Sequence, residues 1–128
     1  MVKYIIEKEA KGDTFPAPYR RTIKPLAAPW TLETTKIWLG TDEIQPHQAS
    51  DPHIHKDKEE VLFFLSGKGR VRVDNEEIEV EPGYCVFFPM GSVHEVINDH
   101  DSILRFIAAV APPFPAPIKE EEKSLKIK

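Results

Sequence analysis

The sequence predicts an all-β protein, a sandwich or barrel of many short strands. Its 128 residues are the size of one domain. Twelve prolines and six glycines punctuate the chain, so the segments between them are too short for long helices. These segments are rich in Val, Ile, Phe and Tyr and are bounded by turn residues at intervals of about 8–12 residues.

The N-terminal part, residues 1–33, is predicted to hold one strand and an extended arm. Residues 2–8 (VKYIIEK) have the composition of a strand. Residues 11–31 contain four prolines, which favour an extended segment without regular structure. The arm is too apolar for a free linker, so we expect it to lie on its own barrel or on a partner subunit. Its large apolar side chains are Phe15, Tyr19, Leu26 and Trp30.

Residues 34–111 are predicted to form the barrel. The predicted strands are residues 35–40, 60–65, 69–73, 77–80, 84–88, 93–97 and 102–110. Residues 112–128 form a proline-rich and charged tail, and its prolines cannot continue a strand.

Alternation within the strands indicates which faces are buried. In residues 69–73, valines alternate with Arg70 and Arg72, so one face of this strand is in solvent. Residues 61–65 are apolar on both faces instead. This strand should be covered by the barrel interior on one side and by the arm or another subunit on the other.

Composition excludes several classes of protein. The formal net charge is -4 and the cations are scattered, so nucleic-acid binding is not expected. No apolar run reaches the roughly 18 residues of a membrane span. The N-terminus meets charge too early for a secretory signal, so we expect a cytoplasmic protein. The single cysteine, Cys85, is interpreted as a small packed hydrophobe.

Three of the five histidines and one glutamate form a candidate metal site. His53 and His55 are two residues apart, so their rings emerge on the same face of an extended segment. Glu60 starts an apolar strand, and His94 follows a Pro-x-Gly turn. Imidazole and carboxylate ligands suit Mn, Fe, Ni, Co and Zn. Each feature alone is weak, because histidines in His-x-His are often surface residues and a glutamate after lysines is normally solvated.

The two segments that carry these residues resemble the two motifs of the cupin family. Residues 53–67 (HIHKDKEEVLFFLSG) match H-x-H, then E after three or four residues, then G after six. The spacing to Gly67 selects Glu60 over Glu59. Residues 83–98 (GYCVFFPMGSVHEVIN) match G-x5-P-x-G-x2-H-x3-N at every fixed position.

The resemblance covers residues 36–110 and implies a double-stranded β-helix, or jelly-roll barrel, usually in a homodimer. It also implies one divalent metal ion per chain (Mn, Fe, Ni, Co or Zn) on His53, His55, Glu60 and His94. Four protein ligands leave two positions of an octahedral ion open. One departure is His47, because the first motif usually has glycine six residues before its first histidine. This departure puts a local turn in question.

The resemblance allows several functions. The first is a metal-dependent enzyme acting on a small anionic or oxygen-bearing molecule, by dioxygenase, decarboxylase, lyase or isomerase chemistry. The alternatives are a barrel that binds or senses a small ligand without turnover, and a structural barrel. A complete ligand set argues against a purely structural role.

Two further residues are weighed for a place in the site. Arg105 shares its strand face with Ile103 and Ile107, so it would either aim inward and orient a substrate anion or pair with a structural acid. Asn98 ends the second motif and is expected to be a structural turn residue.

Overall fold

The computed structural model describes residues 1–116, and its regular structure is almost entirely β. A 3-10 turn, Glu7–Glu9, precedes the strands. The strands are β1 (Asp13–Thr14), β2 (Arg21–Ala27), β3 (Trp38–Ile44), β4 (Gln48–Ala49), β5 (His53–Ile54), β6 (Glu59–Ser66), β7 (Gly69–Val73), β8 (Glu76–Val80), β9 (Cys85–Phe88), β10 (Val93–Asn98) and β11 (Leu104–Ala111). Within residues 1–116, no helix has the length and apolar character needed to cross a membrane.

The strands form two antiparallel sheets that enclose one core. One sheet has the order β1-β2-β3-β11-β6-β9, and the other has the order β4-β10-β7-β8 with β5 beside β10. Side chains of both sheets are buried in the same cluster. Its members include Leu62, Phe64, Phe88 and Phe106 from the first sheet and Val71, Val80 and Val96 from the second. The predicted all-β jelly-roll barrel is therefore confirmed.

Strand parity follows the predicted pattern in the core strands. In β7, Val71 is buried, while Arg70 and Arg72 lie outside and pair with acids. In β6, Leu62 and Phe64 are fully buried, but Val61 and Phe63 are 37% and 43% exposed. The outer face of β6 is thus not covered by the part of the chain that the structure describes.

The N-terminal part differs from the prediction in two ways. Residues 2–8 contain no strand among the described residues, only the start of the 3-10 turn. The expectation that residues 11–31 lack regular structure is also wrong, because Arg21–Ala27 form β2 against β3. Pro25 is tolerated there because the register shifts between Pro25 and Ala27, and proline is accepted at such bulges.

The start of the tail folds back onto the barrel after β11. The Phe114 ring packs edge-on against Trp38, with ring centroids 5.0 Å apart. Lys58 Nζ donates to the carbonyls of Pro112 and Pro113, at 3.2 and 2.8 Å. These contacts hold residues 112–114 beside the barrel interior. The charged end of the tail, residues 117–128, lies outside the described residues.

Candidate metal centre

Four side chains from separate parts of the chain converge inside the barrel. His53 lies in β5, His55 follows it, Glu60 lies in β6 and His94 lies in β10. His53 and His94 meet because they are directly paired across β5 and β10. One ligand atom from each of the four residues lies within 4.8 Å of all the others. The structure thus brings together the whole set implied by the two motifs.

The spacing of these atoms suits one ion. His94 Nε2 lies 2.9 Å from His53 Nε2, and Glu60 Oε1 lies 3.6 Å from His55 Nε2 and 3.7 Å from His94 Nε2. Ligand atoms bonded to one ion at about 2.1 Å are about 3 Å apart at right angles and about 4.2 Å apart across the ion. The observed distances are close to this range.

Neighbouring groups orient two of the rings. Nδ1 of His53 lies 2.7 Å from the carbonyl oxygen of Asp51. A carbonyl only accepts hydrogen bonds, so Nδ1 donates and Nε2 keeps its lone pair for the site. The ring of His94 stacks on Phe88 at 4.2 Å, with an angle of 16° between the planes. Both contacts restrict how the imidazoles can turn.

Electrostatics at the site favour a cation. Burial, followed by the neighbouring His53, lowers the pKa of His55 and of His94 to about 4. Both rings are therefore neutral and free to ligate near neutral pH. Burial raises the pKa of Glu60 to about 7. Glu60 Oε1 is also buried without a hydrogen-bond partner in residues 1–116. A divalent ion would supply the missing partner, so the residues fit one.

The cluster opens into a cavity of about 360 Å³. Aromatic and aliphatic side chains form most of its wall, and Phe114 of the tail is among them. The wall includes Ile23, Trp30, Trp38, Leu62, Phe106 and Phe114. A cavity of this size and character is typical of a small-molecule site.

Arg105 does not belong to this cavity. In β11 the side chains of Leu104 and Phe106 are buried, so Arg105 between them points outward. There it forms ion pairs with Glu7 and with Glu43, the second at 3.2 Å. The substrate-orienting role is therefore wrong, and the structure shows the alternative of pairing with structural acids.

Arg21 and Asp42 line the cavity instead, and neither was predicted as a site residue from the sequence. Arg21 Nη1 donates to Asp42 Oδ2 at 2.8 Å, and Arg21 Nη2 lies 3.6 Å from Asp51 Oδ1. The arm was expected to be irregular, so no face could be assigned to Arg21. The strand predicted for residues 35–40 ended before Asp42, whereas β3 extends to Ile44. A strand through residues 21–25 would have placed Arg21 on the same face as Ile23.

Three other residues have plain structural explanations. His47 has a φ of +58°, the left-handed conformation that glycine adopts easily, and its exposed ring meets Asp101 at 2.7 Å. Asn98 is buried, and its Nδ2 lies within 3.2 Å of three backbone carbonyls. Cys85 is exposed on the outer face of β9, which corrects its interpretation as a packed residue.

Comparison with known proteins agrees with this architecture. The tetracenomycin polyketide synthase protein TcmJ of Streptomyces glaucescens is 27% identical over 94 residues, which are 73% of this chain and 63% of that protein. The chain thus spans less than two thirds of the length of this relative.

Solved structures show the same fold. The polyketide cyclase RemF of Streptomyces resistomycificus has a TM-score of 0.75 at 20% identity, over 100% of this chain and 94% of that one. A predicted oxalate decarboxylase of Thermotoga maritima also has a TM-score of 0.75, at 16% identity over 87% of this chain and 98% of that one.

A family model provides the final comparison. The model of the cupin domain, Cupin_2, matches residues 40–110, which is more than half of the chain and includes all four clustered residues. This chain belongs to the Cupin_2 family.

Proposed function

We propose that this protein is a metal-dependent enzyme that binds one divalent ion on His53, His55, Glu60 and His94. The observation that carries the proposal is the position of Glu60. Its Oε1 atom is buried beside three imidazoles and has no hydrogen-bond partner among the described residues. Such a group is costly to ionise unless a cation is close by.

The substrate would be a small oxygen-bearing molecule in the adjoining cavity. An ion held by these ligands would act as a Lewis acid on a substrate oxygen. The chain itself contributes apolar side chains to the wall, Phe88 and Leu62 among them, which a bound substrate would cover. The wall therefore strengthens electrostatic interactions within the site.

The names of similar proteins favour redox-neutral chemistry. RemF is described as a polyketide cyclase, and the Thermotoga protein as a predicted oxalate decarboxylase. Lyase, decarboxylase or isomerase-type reactions of this kind need a Lewis acid but no oxidant. We therefore place these reactions ahead of a dioxygenase reaction for this chain.

Metal analysis tests the ligand set. We expect about one divalent ion per chain in the protein purified after expression with supplemented metals. His94→Ala should lose at least about 90% of the metal, since one of four ligands is removed. His47→Ala is the matched control. His47 is an exposed histidine outside the cluster, and its ring contacts Asp101. Unchanged metal content in His94→Ala would contradict the proposal.

A substrate screen tests the reaction class. Small keto acids, phenols and hydroxy acids are incubated with the metal-loaded protein in air and without oxygen. Turnover without oxygen, lost after chelation, is the expected result. Oxygen consumption would identify a dioxygenase instead. Binding of metal and ligand with no turnover of any compound would favour a binding protein.

We also propose that the chain forms a homodimer, as its resemblance to cupins implies. The support is an uncharged surface on the outside of the six-stranded sheet, which we call the apolar face. It consists of Val61, Phe63, Cys85, Phe87, Ile107 and Ala109. A second copy of the chain would cover this surface.

A further inference from the structure

The N-terminal segment carries an apolar strip that nothing covers in residues 1–116, and we call it the N-terminal row. It consists of Val2, Tyr4 and Ile6, which are 81%, 75% and 43% exposed. The segment has the composition of a strand, yet it pairs with no strand among the described residues. Single exposed apolar residues are ordinary, but three at alternate positions of an extended segment form one continuous surface.

The intervening residues show which way the row faces. Ile5 and Glu7 are half-buried. Glu7 forms an ion pair with Arg105, and its backbone carbonyl accepts from Lys24 Nζ at 3.1 Å. Ile6 has extended backbone, with φ of -105° and ψ of 122°. Side chains alternate between the two sides of an extended segment, so the N-terminal row faces away from the sheet.

The segment lies on one half of the outer face of the six-stranded sheet. Arg105 bonds both Glu7 and Glu43 of β3, so the segment passes beside β3. Lys3 Nζ lies 3.3 Å from a carboxylate oxygen of Glu33, which precedes β3. The residues of β6 in the apolar face remain exposed beyond it. The β2–β3 half of the sheet therefore carries an extra layer, and the apolar face on the other half does not.

This arrangement suits a two-fold contact between two copies of the chain. In an isologous contact, each copy presents the same surface to the other. The half with the extra layer in one copy then lies opposite the half without it in the other copy. One contact of this kind covers both N-terminal rows and both apolar faces.

We infer that each copy places its N-terminal row on the apolar face of a second copy, against the partner's Phe63 and the partner's Phe87. This inference rests on the homodimer proposed above, and it adds the segment that reaches across the interface. The row and the apolar face lie side by side on one sheet and carry no charge. A second copy is therefore the one occupant that satisfies both surfaces at once.

The areas involved are in proportion to an interface. Phe63 and Phe87 are 43% and 50% exposed, so together they offer about 200 Å², taking about 200 Å² for a whole aromatic side chain. Tyr4 is 75% exposed and adds about 150 Å² on the same scale. A standard interface buries about 800 Å² on each partner. The N-terminal row thus adds a share comparable with that of the two phenylalanines.

The test is a mixed dimer in which contacts between copies have their own NMR signal. One preparation is Tyr4→Cys/Cys85→Ser, without isotope label, with a nitroxide attached at residue 4. The other is isotope-labelled Cys85→Ser without nitroxide. We expect the nitroxide to broaden the amide signals of Phe63 and Phe87 in the labelled copy. Only a neighbouring copy causes such broadening, because the labelled copy has no nitroxide of its own.

Ile78→Cys/Cys85→Ser carries the nitroxide in the matched control. Ile78 is 48% exposed on β8, in the other sheet. A nitroxide at this position should leave the amide signals of Phe63 and Phe87 sharp. Light scattering on each mixture gives the mass of the assembly in the same samples.

A variant without the apolar row gives the second readout. Val2→Ser/Tyr4→Ser/Ile6→Ser leaves the charge unchanged and alters only exposed side chains. We expect the dissociation constant of the dimer, measured by light scattering across a dilution series, to rise at least about tenfold, a loss of about 1.4 kcal/mol. Ile78→Ser should leave this constant unchanged.

Two results would overturn the inference and leave the dimer in place. The first is a mixture with the mass of a dimer in which the nitroxide at residue 4 broadens neither phenylalanine signal. The second is an unchanged dissociation constant in the triple variant. A wild type with the mass of one chain at all concentrations would instead overturn the homodimer, and this inference with it.

Discussion

Asp42 and Glu60 are the two buried carboxyl groups of the cavity, and they differ in whether a cationic side chain pairs with them directly. Burial raises the pKa of Asp42 to about 6, with Arg21 opposing this rise and Glu43 adding to it. Burial also raises the pKa of Glu60 to about 7, again opposed by Arg21. Asp42 is held by a direct ion pair, whereas Glu60 Oε1 has no hydrogen-bond partner among residues 1–116. The two residues therefore affect the stability of the metal-free protein in ways that can be separated.

Asp42 should make the protein less stable as the pH rises from about 4 to about 6. The pKa of Asp42 in the folded state is above its unfolded value of 3.8, so the folded state binds the proton more tightly. The stabilisation from this bound proton is complete when the pH is below the pKa of the unfolded state. It is lost as the pH rises past the pKa of the folded state. The loss is at most about 3 kcal/mol. Urea unfolding of wild type and Asp42→Asn across this range measures it.

The comparison with Asp42→Asn isolates this residue from the other titrating groups. Asparagine cannot ionise, so the difference in the free energy of unfolding between the two proteins should change with pH in favour of the variant. Arg21 loses its partner in the variant at every pH, which shifts the difference by a constant amount. A difference that stays constant between pH 4 and pH 7 would show that Asp42 does not titrate in this way.

Glu60→Gln should have opposite effects on the metal-free and the metal-loaded protein. Glutamine has nearly the same shape but no charge, so the metal-free variant at pH 8 should be more stable by about 1–3 kcal/mol. The added metal should raise the melting temperature of wild type much more than that of the variant. Thermal unfolding with and without zinc measures both effects. A variant that zinc stabilises as much as wild type would remove Glu60 from the ligand set.

At the scale of secondary-structure elements, the start of the tail covers one side of the cavity. Phe114 packs against Trp38 and lies 5.0 Å from the ring of His55. Lys58 anchors the segment through two proline carbonyls and lies over the Phe114 ring at 5.7 Å. The short tail segment after β11 therefore packs against the loop between β5 and β6, which contains His55 and Lys58.

Phe114→Ala should expose Trp38 to solvent. Trp38 is 4% exposed, and Phe114 is one of the rings that cover it. The chain has two tryptophans, so a Trp30→Phe background leaves Trp38 as the sole reporter. We expect acrylamide to quench its fluorescence more strongly in Phe114→Ala. The free energy of unfolding should fall by about 1–2 kcal/mol.

Lys58→Met provides the graded comparison. It keeps much of the side-chain stem but removes the hydrogen bonds to Pro112 and Pro113. It should increase quenching less than Phe114→Ala does. Equal quenching in all three proteins would show that residues 112–114 do not cover Trp38 in solution.

The elements that sequence predicts well are those whose signals are local. The bounds of β7 are the predicted 69–73, because valine and arginine alternate without ambiguity. The clustering of His53, His55, Glu60 and His94 follows from fixed spacings within two short segments and from strand parity. Gly67 has a φ of +80° in the turn after β6, a conformation that glycine adopts easily. The position of this glycine is therefore a fixed point of the motif, and the spacing back from it selects Glu60.

The elements that sequence predicts poorly depend on pairing between distant strands. β2 contains Pro25, and its status as a strand comes from β3, more than ten residues later. Arg105 lies in a strand that is apolar on both faces, so periodicity could not choose its direction. Cys85 lies in a similar strand, so periodicity could not predict that its side chain is exposed. Arg21, which lines the cavity, was missed because its strand was missed.

At the scale of the whole molecule, the distribution of charge separates the apolar face from the rest of the surface. Phe63 of β6 lies between Ile107 and Cys85 in register, and Val61 lies between Ala109 and Phe87. Val61, Phe63 and Phe87 are 37–50% exposed. None of the six residues is charged, while the whole chain has a net charge of -4. The net negative charge opposes the association of two copies, and an uncharged surface adds nothing to this opposition.

Phe63→Glu should therefore convert the proposed dimer into a monomer. A glutamate at the centre of the apolar face would be buried without a partner in the dimer, and this cost is large relative to a typical interface energy. Light scattering after size exclusion should give twice the chain mass for wild type and the mass of one chain for the variant. Ile78→Glu is the matched control, because Ile78 is 48% exposed on β8 of the other sheet. It should leave the mass of the dimer unchanged.

Two outcomes would contradict this assembly. Wild type with the mass of a single chain at all concentrations would mean that the apolar face stays exposed in solution. Dissociation by Ile78→Glu but not by Phe63→Glu would move the interface to the five-stranded sheet of the barrel. A stable dimer needs about 800 Å² buried per partner. The outer faces of β6, β9 and β11 would have to supply most of this area, so the central position of Phe63 makes it the most sensitive site for the test.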